Sequence, residues 1–148
     1  MLNQDYKDIL SILSAHKVDF MLVGAFAMAY HGYPRATGDI DIFFRPDPHN
    51  AKKVWDSLEE FGAPTNQITL QDLQTPGTIF QVGISPRRID FINRISGVTF
   101  DEAYSDRKSV EISGLPVNIL SLEKLILNKS SSGRPKDLVD VQTLRSSQ

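Results

Sequence analysis

In the segment Asp39-Ile40-Asp41 two carboxylates stand two residues apart, with Ile40 between them and Ile42 after them. On an extended strand alternate residues project to one face, so both carboxylates would point together while Ile40 and Ile42 face the core. Asp is depleted in strands and adjacent like charges repel, so something positive should offset the pair. A divalent cation with oxygen ligands is the economical candidate. The plainer alternative is a solvated strand face, where two Asp keep an edge from pairing. Asp90 bears on that choice. In Ile89-Asp90-Phe91-Ile92 a lone carboxylate has apolar neighbours on both sides. On a strand beside the Asp pair it would complete a three-carboxylate cluster able to hold two Mg²⁺ ions. Such ions clamp the attacking and leaving oxygens of an in-line phosphoryl displacement. An Asp pointing outward from an amphipathic strand is the competing reading.

Upstream, a strand, then Gly24-Ala25, then a helix would present unpaired backbone N–H groups at a helix start, which is an anion site. Gly24 has no side chain, so a phosphate could approach the backbone closely; a plain tight turn has the same pattern. Neither GxxxxGK[ST] nor GxGxxG occurs in the chain. Among the basic residues, Lys129 and Arg134 could counter phosphate charge, one as a point charge and the other as a bidentate fork. Arg35 could reach phosphate or brace Asp39 or Asp41. Lys136-Asp137 also reads as a helix-start pair. Arg87-Arg88 reads as a solvated rim that an acceptor nucleic acid could use. His31, before Gly32, reads as a helix cap.

These groups need elements to hold them. Asn3 can cap a first helix with Tyr6, Ile9, Leu10 and Leu13 on one face. Residues 20–23 read as a short buried strand, 25–30 as a compact helix and 37–44 as a second strand. Pro46 and Pro48 close that strand, and residues 48–61 form a helix burying Ala51, Val54, Trp55, Leu58 and Phe61. Residues 78–84 and 88–92 read as strands about a Ser85-Pro86 turn. A short helix covers 100–104, and strands at 110–112 and 116–120 flank Ser113-Gly114. Ser121 caps a helix that runs to about Lys129, where the Ser130-Ser131-Ser132-Gly133 run stops it. Pro135 opens the last helix, with Leu138, Val139, Val141 and Leu144.

The sum is one α+β (mixed α/β) domain over residues 1–148, a mixed β-sheet flanked by helices, with helices 121–145 packed on the core. Composition agrees: 148 residues suit one core, and 41% hydrophobic residues is globular. Sixteen Lys and Arg against 18 Asp and Glu leave a net charge of −2, which argues against a generic nucleic-acid clamp. Assigning three acids to metal turns the remainder to +1, since 15 acids then face 16 bases. Zero cysteines exclude thiolate zinc and a cysteine nucleophile, and three histidines without HExxH disfavour a histidine zinc site. What remains is oxygen ligation of hard cations. No apolar run reaches membrane-span length and the start reads as no secretory signal, so the expectation is a cytoplasmic protein without a membrane partner.

Together the strand-Gly24-Ala25-helix step, Asp39-x-Asp41 on the next strand and the later Asp90 resemble the nucleotidyltransferase superfamily that includes DNA polymerase beta. More narrowly, residues 22–27, His31-Gly32, residues 35–41 and the late Lys129, Gly133-Arg134-Pro135-Lys136-Asp137 and Asp140 pattern resemble the AbiEii-like bacterial group. The resemblance implies the nucleotidyltransferase fold and Mg²⁺-dependent transfer of a nucleoside monophosphate from an NTP such as ATP to a hydroxyl acceptor. It implies two Mg²⁺ ions, with Mn²⁺ able to substitute, held by Asp39, Asp41 and Asp90. Asp90 would also help deprotonate the acceptor, and Gly24 and the Ala25 N–H would contact the triphosphate. Ala25 departs from the usual Gly or Ser. The acceptor could be an RNA end, a protein or a small molecule. A toxin–antitoxin role and a cognate partner protein are what the narrower group suggests. The rival reading keeps the fold as a catalytically inactive nucleotide-binding or partner-binding module.

Overall fold

Local signals set most of the elements in the computed structural model, which describes residues 2–34 and 38–146. Asn3 accepts a hydrogen bond from the Tyr6 N–H at 2.9 Å and opens helix α1, Gln4–Ala15. Its buried face is Tyr6, Ile9, Leu10 and Leu13, the spacing read from sequence. Strand β1, Phe20–Val23, is buried throughout and runs directly into α2, Gly24–Tyr30. Strand β2 is Ile40–Phe44; Thr37, where the strand is expected to begin, lies outside the described residues. Asp47 caps α3, Pro48–Phe61, which carries Pro48 in its first turn and ends on Gly62 at φ +87°.

After α3 come a 3₁₀ turn, Thr65–Gln67, and α4, Leu70–Gln74. Periodicity does not reveal α4 because five residues are too few, although its Thr69/Asp72 capping box is legible in sequence. Strands β3, Ile79–Val82, and β4, Ile89–Ile92, follow, then α5, Phe100–Ser105, and the hairpin β5, Lys108–Ile112, and β6, Leu115–Ile119. Helix α6, Leu122–Ser132, runs three residues past the expected stop. Ser132 is held there because its hydroxyl donates to the Lys129 carbonyl at 3.0 Å, and Gly133, at φ +69°, ends the helix instead. Helix α7 spans Pro135–Ser146.

The sheet order is β3-β4-β2-β1-β6-β5. Three ladders are antiparallel (β3–β4, β2–β1, β6–β5), and two are parallel, β2–β4 and β1–β6. This is a mixed α/β single domain, as the element pattern leads one to expect. Ile40, Ile42, Phe43, Phe44 and Phe91 are almost wholly buried, so the central strands form the rigid floor of the molecule. Helices α1 and α3 pack together and reach the sheet at β6 and β2, while α6 packs against α7. No described helix is long and apolar enough to cross a membrane.

Candidate functional site

The parallel β2–β4 ladder pairs Ile40 with Ile89, Asp41 with Asp90, and Ile42 with Phe91. Paired residues of a sheet project to the same face, so Asp41 and Asp90 stand side by side. The isoleucines on either side of Asp41 turn into the core and are fully buried. Asp39 lies just before β2, outside the ladder. Its Oδ1 accepts from the Arg88 backbone N–H at 3.1 Å, and its Oδ2 accepts from the Ser85 hydroxyl. The three carboxylates therefore line one cleft, but as a facing pair with a neighbour. Among the described residues no three acidic or histidine side chains converge on a single metal position.

The electrostatics follow from this placement. Burial first, then the charge of Asp90 and a hydrogen bond shared with it, push the Asp41 carboxyl up to about 7. Desolvation works against ionising Asp39 as well. There the Ser85 hydroxyl, the Arg88 N–H and the Arg88 guanidinium outweigh it and hold the carboxyl below its ordinary range. Two neighbouring acids on one cleft are thus driven apart in proton affinity by their partners.

Gly24 begins α2 with φ +64°, a conformation that costs side-chain-bearing residues energy. A Cβ there would lie 2.1 Å from Asp41 Oδ2. The glycine is thus needed twice, by the turn and by the carboxylate packed on it. Gly24→Ala is expected to lower stability by about 1–2 kcal/mol from the backbone alone and to dislodge Asp41. Urea unfolding of the variant at several pH values, where the raised Asp41 carboxyl contributes to the slope, checks both effects.

Two cavities share this centre. One, of about 310 Å³, is lined by Gly24, Ala25, Asp39, Asp41, Asp90 and the basic residues Arg88, Lys129, Arg134 and Lys136. The other, of about 490 Å³, meets the same Asp41 and Asp90 from the β3–β4 side, and adds Ile79, Gln81, Ile92, Arg94 and Asn128. Both volumes suit small-molecule ligands. The first offers cations beside acids and the second a mixture of apolar and polar wall. Among the described residues no histidine lines either cavity.

The cations differ in their freedom. The buried Lys129 ammonium lies 2.9 Å from Asp140 Oδ2 and 3.3 Å from Asp137 Oδ1, so α6 and α7 are joined through it. Arg134 is largely exposed and donates to Asp137 Oδ2 at 2.7 Å. Burial opposes ionisation of Asp137, but Ser132, Arg134 and Lys129 hold its carboxyl below the ordinary range. Arg35 lies outside the described residues. His31 acts as a tie: its Nε2 is 2.9 Å from the Leu120 carbonyl, fastening the end of α2 beyond β6.

Two residues were not legible as part of this site. Arg88, which reads as a rim residue, places its guanidinium on Asp90, with Nε 2.7 Å from Oδ1 and Nη2 3.1 Å from Oδ2. The available signal was the Arg88-x-Asp90 spacing, which puts both on one strand face. Tyr6, which reads as a core residue, donates its hydroxyl to the Gly38 carbonyl and lies 3.2 Å from that of Arg88. It clamps the backbone beside Asp39 to the backbone beside Asp90, and no local pattern announces that.

The model of one protein family, described as "Nucleotidyl transferase of unknown function (DUF2204)", matches residues 2–147. No curated protein matches the chain. Among solved structures, a Thermotoga maritima protein described as a candidate nucleotidyltransferase superposes with a TM-score of 0.65 at 18% identity, over 100% of this chain and 97% of that one. The lincosamide antibiotic adenylyltransferase LnuA, bound to lincomycin, gives 0.56 at 17% identity, over 98% of each chain. The antibiotic-resistance factor ANT(2'')-Ia gives 0.54 at 18% identity, over 95% of this chain and 80% of that one. At such identities the likeness establishes a shared fold.

Proposed function

Because the chain belongs to this nucleotidyl transferase family, we propose that it transfers a nucleoside monophosphate from an NTP to a hydroxyl acceptor in a Mg²⁺-dependent reaction. The observation that carries the reading is the in-register pairing of Asp41 and Asp90 on adjacent parallel strands, in a cleft with cations on one side. The donor set fits a hard divalent ion: every acidic donor is a carboxylate oxygen, and the crowding that raises Asp41 is what a cation would relieve. Asp39, Asp41 and Asp90 are the residues that would hold Mg²⁺, or Mn²⁺ in its place. When bound, such ions neutralise phosphate charge and align the attacking and leaving oxygens.

The protein's own groups do the rest. Gly24 and Ala25 line the nucleotide side, where the absence of a side chain at Gly24 admits a phosphate close to the backbone. Arg134 and Lys136 bring positive charge to the triphosphate. Asp90 borders the second cavity, from which an acceptor hydroxyl would approach, and takes the hydroxyl proton as its oxygen bonds to the α-phosphorus. The bond from that phosphorus to the bridging oxygen breaks, and pyrophosphate leaves. Positioning and charge stabilisation supply most of the rate in such chemistry.

One class of acceptor is supported by the second cavity. Its mixed wall suits a small hydroxyl compound, in line with a neighbour named as an antibiotic adenylyltransferase. An RNA end or a protein hydroxyl is the alternative acceptor, and the narrower sequence resemblance suggests a toxin–antitoxin role and a partner protein. The test is incubation with Mg²⁺ or Mn²⁺ and each labelled NTP, offering RNA, cell-lysate protein and hydroxyl-bearing small molecules in turn. Metal-dependent labelling of one class, lost in Asp41→Asn, is the expected outcome. Thermal stabilisation by Mg²⁺-NTP without turnover on any acceptor would instead support the inactive nucleotide-binding module. Absence of both labelling and metal-dependent NTP binding would sink the reading.

A further inference from the structure

The cation nearest the acidic pair belongs to the chain itself. Arg88 directly precedes β4, two residues before Asp90, so both side chains leave the same face of the strand. Its guanidinium forks onto both oxygens of Asp90, at 2.7 and 3.1 Å, and its Nη2 is 3.5 Å from Asp39 Oδ2. The backbone N–H of the same residue donates to Asp39 Oδ1 at 3.1 Å. One residue therefore bridges two of the three carboxylates. The Arg88 side chain is 31% exposed, against 11% for Asp90 and 16% for Asp39, so the ion pair is closed on the carboxylate side and open on the cleft side. Arg88 also lines the smaller cavity, beside Arg134 and Lys136.

We propose that Arg88 is a resident counter-ion of the acidic cluster, displaced when a divalent cation binds and then free to grip the nucleotide's phosphates. The inference rests on the metal-dependent reading of the same cleft. Its physical basis is competition. The carboxylate oxygens that Arg88 occupies are those a hard cation would need, and an oxygen committed to a guanidinium is a poorer ligand. A guanidinium fork fits phosphate as well as carboxylate, so a triphosphate in the smaller cavity offers Arg88 a second partner of equal geometry. Metal alone must pay for the broken ion pair, whereas metal with nucleotide replaces it. Arg88 thereby couples the two ligands, and the coupling is reciprocal. It acts as a positioning residue, keeping the carboxylates together without metal and committing the cleft only when both ligands arrive.

Mn²⁺ titration by electron paramagnetic resonance, with and without an α,β-methylene triphosphate, tests this on wild type, Arg88→Gln and Arg88→Lys. Without nucleotide, Arg88→Gln is expected to bind Mn²⁺ about tenfold tighter than wild type, and its gain on adding the analogue is expected to shrink by a similar factor. Arg88→Lys, which keeps the charge but loses the fork, is expected to fall between them. It also stands in if the Gln variant does not fold. An Arg88 that acts only as a nearby fixed charge would leave the gain on adding the analogue unchanged in both variants. Unchanged or weaker Mn²⁺ binding in both variants overturns the displacement proposal and leaves the metal reading intact. Absence of Mn²⁺ binding by the wild type and both folded variants overturns the two together.

Discussion

Asp41→Asn is expected to reduce nucleotidyl transfer by about a thousandfold or more, because on the proposed reading it removes a charge that would meet the metal and phosphates in the transition state. The same change is expected to alter stability without metal in a direction fixed by the wild-type proton affinity. The Asp41 carboxyl is raised from an ordinary value near 3.8 to about 7, by burial first and then by Asp90. Between those values the folded protein holds a proton that the unfolded chain has released. Its stability therefore falls as pH rises through this window, and levels out above about 7. An uncharged Asn has no proton to lose, so its share of the slope disappears. Urea midpoints for both proteins at pH 5, 6, 7 and 8, in chelator, read this directly. The wild type should lose stability across the series while the variant loses less, and the two should separate most at pH 8. Parallel slopes would mean that Asp41 is not crowded by Asp90. Mg²⁺ added at pH 8 should recover part of the loss in the wild type alone, since a bound cation does what the proton did.

Lys129→Ala has the largest expected cost to folding. The Lys129 side chain is 10% exposed, and the Asp137 and Asp140 side chains around it are each 4% exposed. Truncation would leave buried carboxylates without the ammonium that they enclose, at a cost of about 3–5 kcal/mol. Arg134 and Ser132 still serve Asp137 in that variant. The double change Lys129→Met with Asp140→Leu removes both charges and keeps most of the volume, so it is expected to recover much of the loss. Equilibrium unfolding of the three proteins measures this. A Lys129→Ala protein within about 1 kcal/mol of wild type, but weakened in nucleotide binding, would return Lys129 to the phosphate-binding role that the sequence suggests. The structure favours the first outcome because the ammonium already bridges the α6–α7 pair.

Arg88, Lys129 and the Asp triad show how far residue patterns carry. The first helix, the α3 boundaries and the buried alternation around Asp41 follow from short-range rules. A capping side chain, a proline in a first turn and a period of two or 3.6 act over a few residues and are written in the chain. The short α4 has its capping box in plain view but too few residues for a periodic signal. The serines ending α6 read as a stop, yet Ser132 stays helical because its hydroxyl finds the Lys129 carbonyl and Asp137.

By itself, then, the sequence determined a cysteine-free, mixed α/β chain and a carboxylate, Asp41, carried on a strand whose isoleucines face the core. It could not determine who neighbours whom. Asp41 and Asp90 are 49 residues apart, and only the parallel ladder between β2 and β4 sets them in register. A slip of one residue would have turned Asp90 to the opposite face. Likewise only the folded chain gives Arg88 and Lys129 their carboxylate partners. Long-range pairing leaves no local trace because the energy that selects it comes from burial and charge compensation across the whole sheet, and those exist only once the chain has folded.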